Sequence, residues 1–269
     1  MLLMFSITTI FTGCSPSEKE NSGNVTPDEI NARYISQMTG GEDARMLYED
    51  GLIIKGLGNS SVDIDDFFGA FQIEYNENQR VKRVLEADHS FKKSDGFNFD
   101  LNEFNSVDIF TYNYSNNRLS SISSESGKLD QEFVYDDKGR VKKHIRYRYG
   151  DPTDFTEYTY TYDDNGKIVE YYKIQSWSGD TEFGEIVTDG KVNPFYYFWN
   201  KHSLIMPGDI SDIMDNNLSF YPHNILEVYD GAELDFKARI EYREDYPHIY
   251  EEYDLGLYDN EPILIRYLD

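Results

Sequence analysis

Cysteine is nearly missing from this 269-residue chain, since Cys14 is its only one, and no intrachain disulfide can staple the fold. Basic residues are scarce, 25 Lys and Arg against 50 Asp and Glu, for a formal net charge of −25. Phosphate binding needs clustered Lys and Arg, so the balance excludes nucleic acid as a partner, and electrostatic adhesion to anionic lipid with it. Beyond the first thirteen residues no run is long and apolar enough to cross a bilayer. The five histidines (His89, His144, His202, His223, His248) have no spacing that sets two on one helical turn or one strand face, so no metal site is assigned. A nucleophile elbow, a phosphate-binding glycine loop and a dinucleotide fingerprint are all missing, so no catalytic residue and no cofactor is assigned.

What is present is a unit rewritten several times. It is clearest as Tyr135-Asp136-Asp137-Lys138-Gly139-Arg140-Val141 and again as Tyr162-Asp163-Asp164-Asn165-Gly166-Lys167-Ile168. An aromatic residue leads into a polar turn, Gly stands near the end of the turn, and a basic and a β-branched residue follow. Asp enters turns because its carboxylate bonds the backbone ahead of it, and Gly supplies the left-handed conformation that closes a short hairpin. The flanks alternate as half-buried strands do, for example Tyr158-Thr159-Tyr160-Thr161-Tyr162. Tyr75-Asn76-Glu77-Asn78-Gln79-Arg80-Val81 keeps the spacing with Gln in place of Gly, which points to Asn78 for the left-handed position. Tyr112 through Asn117-Arg118-Leu119 is one residue longer, Tyr48-Glu49-Asp50-Gly51-Leu52-Ile53 is shorter, and Thr188-Asp189-Gly190-Lys191-Val192 reads as a further degenerate copy. The spacing of the copies falls in the range of repeat architectures.

These units resemble the YD repeat of the Rhs family, whose hallmark is a Tyr-Asp-x-x-Gly-Arg turn followed by an aliphatic residue. The resemblance runs from about Tyr48 to Ile174 and implies hairpins that coil into a β-shell. The copies are too few for the closed cargo shell of large Rhs proteins, and no toxin domain follows them. The whole chain is more similar to small bacterial YD-repeat-like lipoproteins of unassigned activity, a group in which Asn193-Pro194-Phe195 and Tyr246-Pro247 also fit.

Residues 1–13 are uncharged and largely apolar, which suits a signal-peptide core, and Ile10-Phe11-Thr12-Gly13-Cys14 resembles a bacterial lipobox. That resemblance implies lipid attachment at Cys14. Phe11 stands where Leu is usual and no Lys or Arg precedes the core, which leaves a start upstream of Met1 open. Residues 14–25 read as a lipidated Cys and flexible tether, and Ser15, rather than Asp, after Cys14 favours the outer membrane. Whether the protein faces the medium or the periplasm stays open.

Residues 26–269 are read as one domain. Thr26-Pro27-Asp28-Glu29 opens like a capped helix running to about Met38, with a strand over Arg33–Met38 as the alternative. From Ala44 onward the pattern is strand after strand, broken between Ser203 and Asn217, where a short helix or loop around Ile210–Met214 fits. Strands resume at Ile225–Tyr229, Phe236–Arg243, Ile249–Asp254 and Ile263–Leu268. The expected fold is all-β, an antiparallel meander of successive hairpins curled into an open sheet or barrel-like shell, with at most one or two short helices.

Asp63-Ile64-Asp65-Asp66 and Asp163-Asp164-Asn165-Gly166 look like calcium ligands, but neither forms the Asp-x-Asp-x-Asp-Gly loop with its distant Glu, and a turn accounts for the second. Aromatics, with 23 Tyr and 17 Phe, give the best functional lead. Tyr158, Tyr160 and Tyr162 share a strand face and read as core. Trp177, in Ser176-Trp177-Ser178-Gly179, stands at an expected hairpin tip, and Tyr196, Tyr197 and Trp199 lie in the dense run Pro194–Trp199. These four are the candidate ligand-binding residues, as platforms for sugar rings or anchors for a protein. The expected function is a non-enzymatic, outer-membrane-anchored envelope module that binds a glycan, peptide or protein partner or serves a structural role. The alternatives are a polysaccharide or peptide hydrolase using acidic loop residues and a calcium-dependent adhesion module.

Overall fold

The computed structural model describes residues 35–39, 43–60, 65–193, 195–205, 220–243, 246–254 and 263–267. The expected signal peptide, Cys14 and the expected tether, along with the segment around Ile210–Met214, lie outside the described residues. The first strands are β1 (Ile35–Thr39), β2 (Asp43–Glu49), β3 (Leu52–Ser60), β4 (Asp66–Phe67), β5 (Gly69–Tyr75), β6 (Val81–Ala87) and β7 (Phe91–Lys92). Next come β8 (Asp108–Ser115), β9 (Arg118–Ser124), β10 (Leu129–Tyr135), β11 (Val141–Tyr147), β12 (Phe155–Tyr162), β13 (Ile168–Gln175) and β14 (Thr181–Val192). Helix α1 (Tyr196–His202) precedes β15 (His223–Asp230), β16 (Glu233–Arg243), β17 (Tyr246–Asp254) and β18 (Ile263–Tyr267).

All strands except β4 and β7 form one antiparallel ladder in chain order, and β1 pairs with both β2 and β18. The expected meander is therefore present as a barrel-like shell whose last strand meets its first. At Ile35–Thr39 the chain is a strand, so the alternation of that segment prevails over the helix start signal upstream. Thr188–Val192 is not a turn. It runs on within β14, where the Asp189 carboxylate accepts from Lys191 N at 2.9 Å and Asn224 N at 3.2 Å, and from the Tyr242 hydroxyl.

The repeat turns behave as their residues dictate. In the Asp136 turn, Oδ1 accepts from Arg140 N at 2.8 Å, Oδ2 accepts from Arg140 Nε at 2.7 Å, and Gly139 takes φ 85°. Asp163 Oδ1 likewise accepts from Asn165 N and Lys167 N at 2.9 and 2.8 Å, with Gly166 also at φ 85°. These carboxylates serve the backbone, as the turn reading required. In the Tyr75 copy the left-handed residue is Gln79 at φ 56°, not Asn78, because the turn geometry fixes the position whatever residue fills it.

Successive copies are coupled. The hydroxyls of Tyr75, Tyr114, Tyr135 and Tyr162 donate to the carbonyls of Ile53, Val81, Leu119 and Val141, each at the start of an earlier hairpin's returning strand, at 2.6–2.8 Å. The basic residue of one turn then covers the tyrosine of the next: Arg80 over Tyr114 at 5.7 Å, Arg118 over Tyr135 at 5.3 Å and Arg140 over Tyr162 at 4.1 Å. A Cβ on Gly139 would stand 2.3 Å from the Arg118 guanidinium, so glycine serves both the turn and the neighbour's stacking. Burial pushes the Tyr75, Tyr135 and Tyr162 hydroxyls well above the ordinary tyrosine range and that of Tyr114 up to about 12.

The turn end of the shell is filled. Helix α1 and its flanks pack against strands from around the wall, with Phe198 6.2 Å from Tyr48, Trp199 5.3 Å from Phe133 and Phe220 5.4 Å from Tyr160, measured between ring centres. Polar atoms pin the plug: His202 Nδ1 lies 2.6 Å from the Gln79 carbonyl, Ile168 N donates to the Tyr221 hydroxyl at 2.9 Å, and the Tyr112 hydroxyl donates to the Ile205 carbonyl. A second apolar cluster lies on the other side of the wall. There the excursion between β6 and β8 covers Leu57, Ala70, Leu85 and Ala87 with Phe91, Phe97, Phe99 and Leu101.

Candidate functional site

The strands that run inward-apolar at the turn end change character toward their other ends. Inward positions on β8 read Tyr114, Tyr112, Phe110, Asp108, and those on β12 read Tyr162, Tyr160, Tyr158, Thr156, because strand side chains alternate with period two. On β6 the sequence is Val81, Val84, Glu86, and on β11 Val141, His144, Arg146, with bulges near the turns absorbing the odd residue. The result is a basin of about 810 Å³ at the end of the shell away from α1.

Its lining changes sign along the wall. Glu86 of β6, Asp88 just after it and Asp108 of β8 form one flank, Ser124 and Ser126 follow, and Lys128, Arg146 and Arg148 come from the far side, where Asp130 is also present. At that rim two large rings stay exposed: Tyr149 is 83% accessible and Trp177 47%. The Arg148 guanidinium lies 5.4 Å from the Tyr149 ring centre and 5.9 Å from that of Trp177. Tyr149 adopts the left-handed conformation, φ 53°, which non-glycine residues rarely take outside a tight turn.

The rim is tied together locally. Phe155 N donates to Ser176 Oγ at 2.6 Å, and Ser176 N donates to the Phe155 carbonyl at 2.9 Å, so two hydrogen bonds join the segments that follow Tyr149 and precede Trp177. Gly150, at φ 64°, leaves room for the Lys128 stem, which a Cβ there would meet at 2.5 Å. In the Asp151 turn, backbone and side-chain hydrogen bonds from Thr153 hold the carboxyl below its usual range.

The four sequence candidates separate. Trp177 does stand at a hairpin tip on the rim. Tyr196, Tyr197 and Trp199 sit on α1 at the other end, half-buried, and Tyr197 and Trp199 pack against the core with their ring faces engaged. They are not brought to the basin, because a local i, i+4 pattern within the aromatic run makes a plug helix. Arg148 and Tyr149, which share the rim with Trp177, are not among the four. Their signal is Arg148-Tyr149-Gly150, a ring set in a glycine turn between two hairpins, where no repeat requires one. Cys14 lies outside the described residues, as do Asp63 and Ile64. Asp66 accepts a hydrogen bond from Ser90 Oγ at 2.6 Å. Among the described residues no three His, Cys, Asp or Glu converge as a metal site would need. His144 is core: it stacks on Phe133 at 4.8 Å, its Nε2 lies 2.9 Å from Gln131 Oε1, and burial, with Arg146 nearby, lowers its pKa to about 3.

No family model and no curated protein matches the chain. Among solved structures it is similar to a porin-like protein from Bacteroides uniformis, at 8% identity and TM-score 0.38, over 87% of this chain and 98% of that one. A porin-like protein from Bacteroides vulgatus gives 10% identity and TM-score 0.35, over 88% and 99%. The Photorhabdus luminescens Tc holotoxin pore with a TccC3 variant gives 10% and 0.31, over 83% of this chain and 14% of that one. Similarity at this level assigns neither an activity nor a ligand. The chain's own wall is more informative. Outward positions on adjacent strands carry Glu74, Arg83, Thr111, Asn113, Ser121, Ser123, Lys143, Glu157, Thr159 and Thr161, including the pairs Arg83–Glu74 at 2.5 Å and Lys143–Glu157 at 2.6 Å. A membrane-spanning barrel needs an apolar outward band, and this stretch of wall is built for water.

Proposed function

We propose that this protein is a lipid-anchored, non-enzymatic module of the cell envelope that binds a glycan in the polar basin of its shell. The observation that supports the reading is the contrast within one lumen: α1 fills the turn end, while the other end keeps a basin rimmed by exposed Trp177 and Tyr149. Exposed rings beside hydrogen-bonding side chains suit sugar faces and hydroxyls. A peptide fits less well. The wall strands at the basin, β8 to β12, are hydrogen-bonded on both sides and offer no edge, and the lining holds few aliphatic residues.

The anchor in this reading is Cys14, with the outer membrane as the location. Fatty-acid labelling of the full-length protein in its host tests it, with incorporation expected for the wild type and none for Cys14→Ser. Titration of oligosaccharides against the wild type and Trp177→Ala tests the site, with binding weakened by about tenfold or more expected in the variant. Release of new reducing ends from a titrated oligosaccharide would replace the binding module with a hydrolase.

A further inference from the structure

The basin's charge pattern narrows the ligand, on the premise that the basin is a glycan site. The chain carries −25 overall, yet Lys128, Arg146 and Arg148 gather, with Asp130 among them, along one side of this polar basin. Arg148 is set apart from the chain's other rim cations by what it touches. Its guanidinium rests between the rings of Tyr149 and Trp177 and forms no ion pair with a carboxylate of the described residues, although acidic residues outnumber basic ones two to one. Arginine is weakly hydrated, stacks on rings and presents a planar fork to a carboxylate, so a guanidinium held between two exposed rings is prepared for an anion attached to a flat, partly apolar body. The left-handed backbone at Tyr149 holds one of those rings outward in a conformation that Gly or Asn would adopt with less strain.

We propose that the basin takes a short acidic oligosaccharide, with the carboxylate of a uronic-acid residue on Arg148 and the sugar faces against Trp177 and Tyr149. Asp88, Asp108, Ser124, Ser126 and Thr156 then meet hydroxyls on the rest of the ligand, since carboxylates and hydroxyls accept and exchange hydrogen bonds with neutral sugars. The acidic flank sets a limit on the ligand's charge. A densely sulfated polymer would bring repeated negative charge against Glu86, Asp88 and Asp108 and against the net charge of the whole chain, so one carboxylate per ring is what the arrangement tolerates.

The test is a glycan array of neutral, uronate-bearing and sulfated oligosaccharides probed with the purified protein. Calorimetry follows with a galacturonic acid trisaccharide and with the same trisaccharide after reduction of its carboxylates to hydroxymethyl groups. The expected result is preference for uronate-bearing oligosaccharides. Arg148→Met should weaken binding of the acidic trisaccharide by about tenfold or more and change that of the reduced one by less than about threefold. Circular dichroism should show both proteins equally folded, since Arg148 lies on the rim. Equal affinity for acidic and reduced sugars, or an unchanged Arg148→Met, overturns the uronate assignment and leaves the glycan site standing. Preference for sulfated chains overturns it as well. Absence of binding to every class on the array overturns the glycan site together with the assignment.

Discussion

The two ends of the shell are made from the same strands and solve opposite problems. At the turn end, Val81, Leu119, Val141 and Ile168 point inward beside the repeat tyrosines and meet Phe198, Phe220 and Tyr221 of the plug. At the other end the inward positions are Glu86, Asp108, Arg146 and Thr156, and nothing in the described residues fills the space between them. The turn end repeats one solution copy after copy, with Tyr75, Tyr114, Tyr135 and Tyr162 bonded backward and the last three covered by the preceding arginine. The basin end has loops of unlike length and sequence, and its rim exposes the large rings of Tyr149 and Trp177. The difference teaches that the repeat secures the wall, and that whatever is particular to this protein lies where the strands leave the repeat.

The largest expected contrast comes from removing one ring at each end. Phe198 is 1% exposed in the plug, and truncating a buried Phe removes its transfer energy and leaves a cavity, about 3–5 kcal/mol. Phe198→Ala should therefore lower the urea midpoint and Tm sharply, while Trp177→Ala, at a half-exposed rim position, should cost no more than about 1 kcal/mol. Comparable losses from the two variants would mean that the rim is structural too.

Next in size is the response to acid. His144 lies buried between the two ends, and its folded pKa of about 3 is below the unfolded value near 6.5. Below about pH 6.5 the unfolded chain gains a proton there that the folded chain refuses, so stability falls as pH falls, by about 2 kcal/mol between pH 6.5 and 5. Burial also lowers His202 and His223, which act in the same direction. Comparing His144→Gln with the wild type at each pH isolates the His144 share: the variant should lose less stability over that window, read by urea unfolding. An identical slope would place His144 in contact with water.

A smaller effect tests the coupling between copies. Gly139→Ala introduces a Cβ at φ 85° against the Arg118 guanidinium and should cost about 1–2 kcal/mol. Gly179, at φ 75° beside Trp177, meets nothing within 4 Å, so Gly179→Ala carries the backbone strain alone and should cost less. In an Arg118→Ala background the two glycine variants should converge, because the contact that separates them is gone. If they stay apart, the stacking of Arg118 on Tyr135 is not what Gly139 protects.

Much of the turn end was legible in the chain because its signals are local. Asp136 and Gly139 fix a turn within five residues, and Tyr158, Tyr160 and Tyr162 declare their shared face by alternation alone. The plug was not legible as a plug. Tyr196, Tyr197 and Trp199 looked like a platform because a sequence shows a dense aromatic run without showing that a lumen waits for it. The basin was hidden for a related reason. Glu86, Asp108 and Arg146 are each ordinary charges in an acidic chain, and only the register that turns them inward at one level makes them a lining. The exposure of Trp177 was legible because a tip offers a ring nothing to bury against. Tyr149 carries the same signal but sits beside a glycine turn that drew no comparison with the repeats.

Tyr149 also gives the sharpest separation of the two ends, because there the expected sign reverses. At the turn end, Phe198→Ala and Gly139→Ala both remove stability. At Tyr149 the native residue itself is strained, holding φ 53° with its ring 83% exposed and the Arg148 guanidinium 5.4 Å from its centre. Asn tolerates the left-handed region better than Tyr, so Tyr149→Asn should stabilise the fold slightly, by roughly 0.5 kcal/mol. The same change removes one of the two rings that flank Arg148 and should weaken oligosaccharide binding by about threefold to tenfold. A gain in stability with a loss of affinity is the signature of a residue kept for recognition, whereas a loss of both would return Tyr149 to the architecture and leave Trp177 as the rim's single platform.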